Sequence, residues 1–271
     1  MLDFLKSENI ERFAFCDFRE AKIINERKLG ALKKSWGCDP ETVMVFLAPY
    51  YMGPGEEGNI SVYARSRDYH LFFAGFYDRL REYLSLRGDA SGFMGFCDNS
   101  PVDEVDLAVR SGLGVRGDNG LVIDRVYGSY IFIGEVFFKK DPGYTKSDMR
   151  RQGSCLHCGA CVKACPVKCC GTNDRSLCLS YLSQKKKLEK NEEELVIKHR
   201  ALWGCDICQS VCPLNAAART TPLEFFSSDR TPFLTEELLD SLIGSGVFEK
   251  RAFAWRGPDV VRRNLILTKP R

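Results

Sequence analysis

The sequence predicts an α+β protein in three parts: an N-terminal α/β domain, a cysteine-rich middle and a short helical C-terminal extension. Three observations lead there. Thr42 to Ala48 is a β-branched apolar run, followed by segments that alternate between helical and strand-like patterns. Ten of the 13 cysteines fall between Cys155 and Cys212. The residues after Pro213 are patterned mainly as helix. The expected boundaries are 1–148, 149–215 and 216–271.

Taken in order, Thr42–Ala48 (TVMVFLA) ends at Pro49 and reads as a buried strand. Gly53 to Gly58 is a turn-rich loop. Asp68 to Leu86 places Leu71, Phe72, Gly75, Leu80 and Leu84 near helical spacing and stops at Gly88. Gly92–Cys97 and Tyr130–Phe138 are further strands. Between them Ser100 is expected to cap a helix, with Pro101 at its first position, acidic Asp103 at its third and Gly112 closing it. Asp141-Pro142-Gly143 is a break. Lys185–Glu194 (KKKLEKNEEE) reads as a solvated helix or linker. Thr235–Ile243 is a helix, and the basic stretch from Glu249 to Arg271 reads as a solvated surface.

Composition narrows the function classes. A formal charge of +3 on 271 residues is too mild to argue for nucleic acid by itself. The longest apolar stretch, Val126 to Phe138, contains Glu135 and falls short of the roughly 18 residues of a membrane span. The first residues, MLDFLKSENIER, offer neither a basic nor an apolar signal region, so a cytoplasmic protein without membrane partners is expected. Cysteine at this density in such a chain reads as metal ligation.

Cys155, Cys158, Cys161 and Cys165 before Pro166 form C-x2-C-x2-C-x3-C-P, the bacterial ferredoxin run. Three thiolates at that pitch wrap one corner of a 4Fe-4S cluster, and the turn after the third sends the fourth to a second cluster. Cys205, Cys208 and Cys212 before Pro213 repeat the run without its first cysteine. Aligned at their ends, the two runs give Cys155, Cys158, Cys161 and Cys212 to one cluster. The other receives Cys165, Cys205, Cys208 and one of Cys169, Cys170 and Cys178. Cys178 is preferred, because the other two follow the Cys165 turn too closely to reach around the cluster. Zinc favours paired cysteines over a run of three with a fourth before proline. A ferredoxin-like domain with two 4Fe-4S clusters is therefore expected.

Two other features bear on chemistry. Gly112-Leu113-Gly114-Val115-Arg116-Gly117 matches the dinucleotide fingerprint G-x-G-x-x-G, but it follows a helix and precedes a strand, the reverse of what that fingerprint needs. It reads as a glycine-rich helix exit. Asp98 stands at a strand end before a capped helix, where ligand crevices form in α/β folds.

With these motifs assembled, the chain resembles the epoxyqueuosine reductase family. Tyr63-Ala64-Arg65-Ser66-Arg67-Asp68-Tyr69-His70 is similar to its A-R-G-R-D-Y-H signature, and Asp98-x-x-Pro101-Val102-x-Glu104 to its D-x-x-P-V-x-E run. Gly112-Leu113-Gly114-x-x-Gly117-x-Asn119 resembles G-L-G-W-x-G-K-N. Gly128-Ser129-Tyr130-Ile131-Phe132-Ile133-Gly134-Glu135 resembles G-S-W-x-F-L-G-E. Cys178-Leu179-Ser180-Tyr181-Leu182 is similar to the C-I-S-Y-L that carries the eighth cluster ligand, and Cys205-Asp206-x-Cys208-Gln209-x-Val211-Cys212-Pro213-x-Asn215 completes the match. The resemblance implies an N-terminal domain of the nitroreductase and reductive-dehalogenase type that binds base-off cobalamin, with contacts at Asp98, Ser129, Tyr130, Tyr69 and His70. It implies clusters that relay electrons from an external donor such as flavodoxin or ferredoxin. It implies that Asp98 donates a proton as the epoxide becomes an alkene, which a carboxylic acid can do where burial, or repulsion from Asp103, Glu104 and Asp106, raises its pKa.

Val105 stands where the family usually has Arg, Asp118 where it has Lys, and Val115 where it has an aromatic residue. The residues after Pro213 are also too few for the HEAT-type repeats of longer members. The substrate is accordingly left as tRNA or a small molecule. Two readings compete with a reductase: an electron-transfer protein without catalysis of its own, and a cobalamin-binding or trafficking protein.

Overall fold

The computed structural model describes residues 1–88, 92–149, 153–172 and 174–269. The chain divides into two units, the first made of 1–49, 70–117 and 121–155, the second of 50–69, 118–120 and 156–271. Both α and β structure are present, and the strands belong to the first unit.

Those strands are β1 (Phe13–Asp17), β2 (Thr42–Pro49), β3 (Phe93–Cys97), β4 (Val115–Arg116), β5 (Val122–Ile123) and β6 (Ile131–Phe138). Four of them form a sheet in the order β1-β2-β6-β3, antiparallel at every pairing. Helices α1 (Leu2–Ser7), α2 (Glu26–Trp36), α3 (Tyr69–Ser85) and α4 (Glu104–Arg110) accompany it. On one face, Val43, Val45 and Leu47 of β2 share a core with Leu29 and Leu32 of α2 and with Leu107, Ala108 and Val109 of α4. On the other, Phe46 meets Phe73 and Phe76 of α3, with ring centroids 5.6 and 4.5 Å apart. A strand covered on both faces reads as a continuous apolar run, which is why 42–49 carries no polar alternation. Gly134 of β6 is required by the same packing: a Cβ there would lie 2.3 Å from Phe73 and 2.5 Å from Phe46.

Several expectations shift. The antiparallel sheet offers no parallel-strand crevice, so the argument that put Asp98 at one does not hold. The buried stripe of α3 is Phe72, Phe73, Phe76, Leu80 and Leu84, while Leu71 is exposed. The cap of α4 is Asp103, whose side chain accepts from the Asp106 N–H at 3.1 Å. Ser100 instead accepts from the Val102 N–H, and Val102 bridges to Ile23 in extended conformation. That bridge keeps residues 101–103 out of the helix. The Gly112–Gly117 segment leaves α4 and enters β4, and the next element is β5.

The second unit holds α5 (Ala160–Ala164), α6 (Leu179–Ser183), α7 (Lys190–Lys198), α8 (Ile207–Ser210), α9 (Glu224–Ser227), α10 (Glu236–Gly244) and α11 (Pro258–Thr268). Its apolar core gathers Trp203, Leu239, Phe253 and Val261. Buried Asn264 of α11 donates to the carbonyls of Ser183 at 2.6 Å and Leu202 at 2.8 Å, tying α11 to the ends of the cysteine-bearing segments. The basic stretch is not simply solvated. Arg251 is buried and donates to Asp229, and Arg263 donates to the carbonyls of Lys185 and Lys186. Arg271 lies outside the described residues. No helix among the described residues is long and apolar enough to cross a membrane.

Candidate functional site

In the first unit, chemistry gathers where β3 ends. Asp98 takes a left-handed backbone (φ +61°), a conformation that aspartate tolerates better than most residues. The turn is tight: Asn99 N–H donates to the Cys97 carbonyl at 2.9 Å, and Ser100 N–H to that of Asp98 at 2.7 Å. His70, at the start of α3, puts Nε2 3.4 Å from an Asp98 carboxylate oxygen. The Asp98 side chain is 51% exposed, so the expected burial of this acid is not seen. Two neighbouring carboxyls are more enclosed, Glu104 half-buried and Glu135 fully buried.

Glu104, the first residue of α4, is pushed up to about 8 by burial and by the charges of Asp98 and Asp103, against a hydrogen bond from the Asp98 N–H. Glu135, on β6 opposite Phe96 of β3, is fully buried. Burial drives it well above the carboxylate range, and Glu104 and Asp103 push the same way. Neither Glu135 oxygen has a partner in hydrogen-bond geometry, although the Ser100 hydroxyl is near enough to favour the ionised form. Sequence reasoning assigned no role to Glu135. Its signal was a lone acid inside the apolar run 131–138.

Ser129 and Tyr130 are buried in the turn that enters β6. That turn is held by Asp124, which accepts the N–H groups of Val126 and Tyr127 and pairs with Arg12 at 2.7 Å. Tyr69 begins α3, half-buried against the core of the second unit.

The cysteines of the second unit converge. Cys161, Cys165, Cys169 and Cys170 form a buried group with Val167, Cys178 and Cys208 packed against it. Cys169 Sγ lies 3.8 Å from Cys165 Sγ, so Cys169 and Cys170 sit inside the group although they follow Cys165 closely. Burial first, then neighbouring thiolates, pushes Cys208 and Cys169 up to about 12. Cys205 rises to about 11, by burial and then by Asp206, Cys178 and Cys165. Cys165 is also desolvated, yet lies below the usual thiol value because the N–H groups of Cys170, Val167 and Cys169 donate to it. Sulfurs crowded in this way resist ionising together until a metal takes their charge, which fits iron–sulfur ligation. Cys158 is exposed, Cys212 half-buried, and neither belongs to the packed group. Cys155 closes the first unit and is half-buried.

The motif residues around the cysteines prove structural. Asp206 accepts from Ser61 Oγ at 2.6 Å and from Val62 N–H at 2.9 Å. Gln209 Nε2 donates to Tyr50 Oη at 3.2 Å, and Asn215 Nδ2 to the Gln209 carbonyl at 2.7 Å. Buried Arg65 donates to the carbonyls of Glu56 and Ile60, and the Arg67 guanidinium lies 4.1 Å over the Phe225 ring.

Residues 154–215 match the family described as 4Fe-4S double cluster binding domain, so this region is a two-cluster 4Fe-4S domain. Among sequence relatives, the epoxyqueuosine reductase of Francisella cf. novicida is 32% identical over 193 residues, 69% of this chain and 52% of that protein. That of Listeria monocytogenes is 33% identical over 222 residues, 76% of this chain and 56% of that one. The chain thus spans about half the length of the curated relatives it matches. Epoxyqueuosine reductase from Streptococcus thermophilus superposes with a TM-score of 0.75 at 23% identity, covering 98% of this chain and 79% of that one. An epoxyqueuosine reductase bound to an epoxyqueuosine-modified tRNA-Tyr stem loop gives 0.75 at 21%, with the same coverage. The Bacillus subtilis enzyme, solved with its catalytic aspartate loop swung out of the active site, gives 0.72 at 21%, again with that coverage.

Proposed function

We propose that this chain, a relative of the epoxyqueuosine reductases with their fold, is an iron–sulfur reductase that uses cobalamin to remove the oxygen of an epoxide. Epoxyqueuosine in tRNA is the first substrate to test. The observation that carries the reading is the presence, in one chain, of a two-cluster domain and an acid on a left-handed loop at a strand end.

Eight cysteines serve as ligands: Cys155, Cys158, Cys161 and Cys212 for one cluster, Cys165, Cys178, Cys205 and Cys208 for the other. Cys169 and Cys170 pack beside them as small buried side chains. The region functions as a ferredoxin-like module, with 1–148, 149–215 and 216–271 as functional divisions. When bound, the clusters pass electrons singly from a donor such as flavodoxin or ferredoxin. The first unit would hold base-off cobalamin of the nitroreductase and dehalogenase type, and its one histidine, His70, faces Asp98. Ser129, Tyr130, His70 and Tyr69 would line that group, which supplies a reducing metal centre when bound. Asp98 then protonates the departing oxygen, and its exposed carboxylate is open to substrate. A solved relative with a catalytic aspartate loop supports this role. A cytoplasmic location follows from such a substrate.

The test is an anaerobic assay of cobalamin-loaded, chemically reduced protein on epoxyqueuosine-containing tRNA. Queuosine should appear. If tRNA and free epoxynucleoside both stay unchanged while cobalamin is bound, the reductase reading fails.

A further inference from the structure

Reduction of an epoxide to an alkene breaks both C–O bonds, forms the C=C bond and consumes two electrons and two protons, the oxygen leaving as water. Asp98 carries only one proton. Behind it stand two acids that the proposed chemistry leaves unused.

Glu104 is joined to Asp98 directly, because the Asp98 N–H donates to its carboxylate. Its Oε2 is buried without a partner. Glu135, fully buried, has no partner for either oxygen. Among the described residues, the groups around this pair offer no compensating cation. From the loop and α4 come Ser100, Asp103 and Asp98, from α3 Tyr77, and from β3 Cys97. The nearby lysines are taken: Lys22 pairs with Asp103 at 2.9 Å, and Lys28 donates to the Asn99 carbonyl. A carboxylate so enclosed, with no counter-charge and one donor at most, is disfavoured against the neutral acid.

We propose, resting on the reductase reading above, that half-buried Glu104 and fully buried Glu135 are neutral acids behind Asp98, and that Glu104 is a positioning residue that holds the Asp98 backbone and returns the second proton to its carboxylate. Glu104 regains that proton from solvent between turnovers, through exposed Asp98. Glu135 keeps a negative charge from building up beneath the pair.

Two readouts test this on the cluster- and cobalamin-loaded protein. Infrared spectra at pH 7 should show the carbonyl stretch of un-ionised carboxylic acids. Glu104→Gln and Glu135→Gln should each remove part of it, and only the Glu104 part should titrate near pH 8. Iron content and circular dichroism should match wild type in both variants. In turnover, Glu104→Gln should lower kcat at pH 7 by about 10²-fold, the low end for a placed proton donor, with KM unchanged and the alkaline limb lost. Glu104→Asp, which restores an acid, should recover part of the rate. Absence of the un-ionised band overturns the proposal, as does a Glu104→Gln enzyme with wild-type kcat and pH profile. If wild-type protein turns over no epoxide, the reductase reading fails by itself. The infrared band then decides the acid pair alone: its loss in the variants upholds the neutral acids, and its absence from wild type overturns them.

Discussion

Replacing Asp206 with alanine should loosen the loop that carries two cluster ligands. The 203–206 segment is fastened to 61–62 at three points. Ser61 N–H donates to the Trp203 carbonyl at 2.8 Å, and Asp206 accepts from the Ser61 hydroxyl at 2.6 Å and the Val62 N–H at 2.9 Å. Contact is so close that a Cβ on Gly204 would lie 2.4 Å from that of Ser61. Hydrogen bonds to a charged group contribute about 1.5–3 kcal/mol each, and a donor left buried costs about 1–3 kcal/mol. Because the residue keeps some exposure, water recovers part of this, and the net loss should be about 3 kcal/mol. At about 2–4 °C per kcal/mol for domains of this size, the thermal midpoint should fall by roughly 6–12 °C. Asp206→Asn keeps an acceptor oxygen and should lose far less. Since Asp206 lies between Cys205 and Cys208, anaerobically purified Asp206→Ala should also lose about half its iron, the share of one of two clusters. An alanine variant with wild-type midpoint and full iron would refute the view that this carboxylate holds the ligand loop.

Three further outcomes follow from the two sites. Cys178→Ala should lose one cluster, leaving about four of roughly eight irons, whereas Cys169→Ala and Cys170→Ala should keep both by iron and sulfide analysis. Asp98→Asn should retain clusters and cobalamin yet lose about 10²-fold or more in turnover of any substrate the protein reduces. Glu104 should make stability fall as pH rises. Below its ordinary value of 4.5 the folded and unfolded chains both hold the proton, and between 4.5 and about 8 only the folded chain keeps it. From pH 4.5 to 7 this costs about 3 kcal/mol, so urea midpoints of wild type should decline over that range relative to Glu104→Gln.

How far the sequence foretold the fold depends on which force sets each feature. Runs 42–48 and 130–138 were legible because central strands covered on both faces are largely apolar. Their direction was not, since such a run looks the same in a parallel or an antiparallel sheet. The start of α4 was misread for a related reason. Ser100 and Asp103 are both good caps, and the choice falls to Asp103 because Val102 is held extended against Ile23, a contact between distant residues. In α3 the apolar face begins at Phe72 and not at Leu71, since the phenyl rings of 72, 73 and 76 must reach the sheet that Phe46 presents.

The functional residues divide along the same line. Thiolate ligation demands one residue type at a fixed pitch, so the cysteines could be read directly. Burial of a carboxyl is a tertiary property, and Glu135 stood out only as an acid in an apolar run and the end of a family motif. The departures at 105 and 118 also acquire a meaning from their surroundings. Val105 packs against the sheet core of the first unit, a place suited to an aliphatic side chain and not to a free guanidinium. Asp118 lies 2.8 Å from Nδ1 of His157 in the ferredoxin run, where a carboxylate can accept the ring N–H. Neither side chain can neutralise a phosphate. If RNA is the substrate, its backbone must be met by other cations, and their number sets how steeply binding weakens as salt rises. A steep salt dependence would require basic contacts outside these two positions.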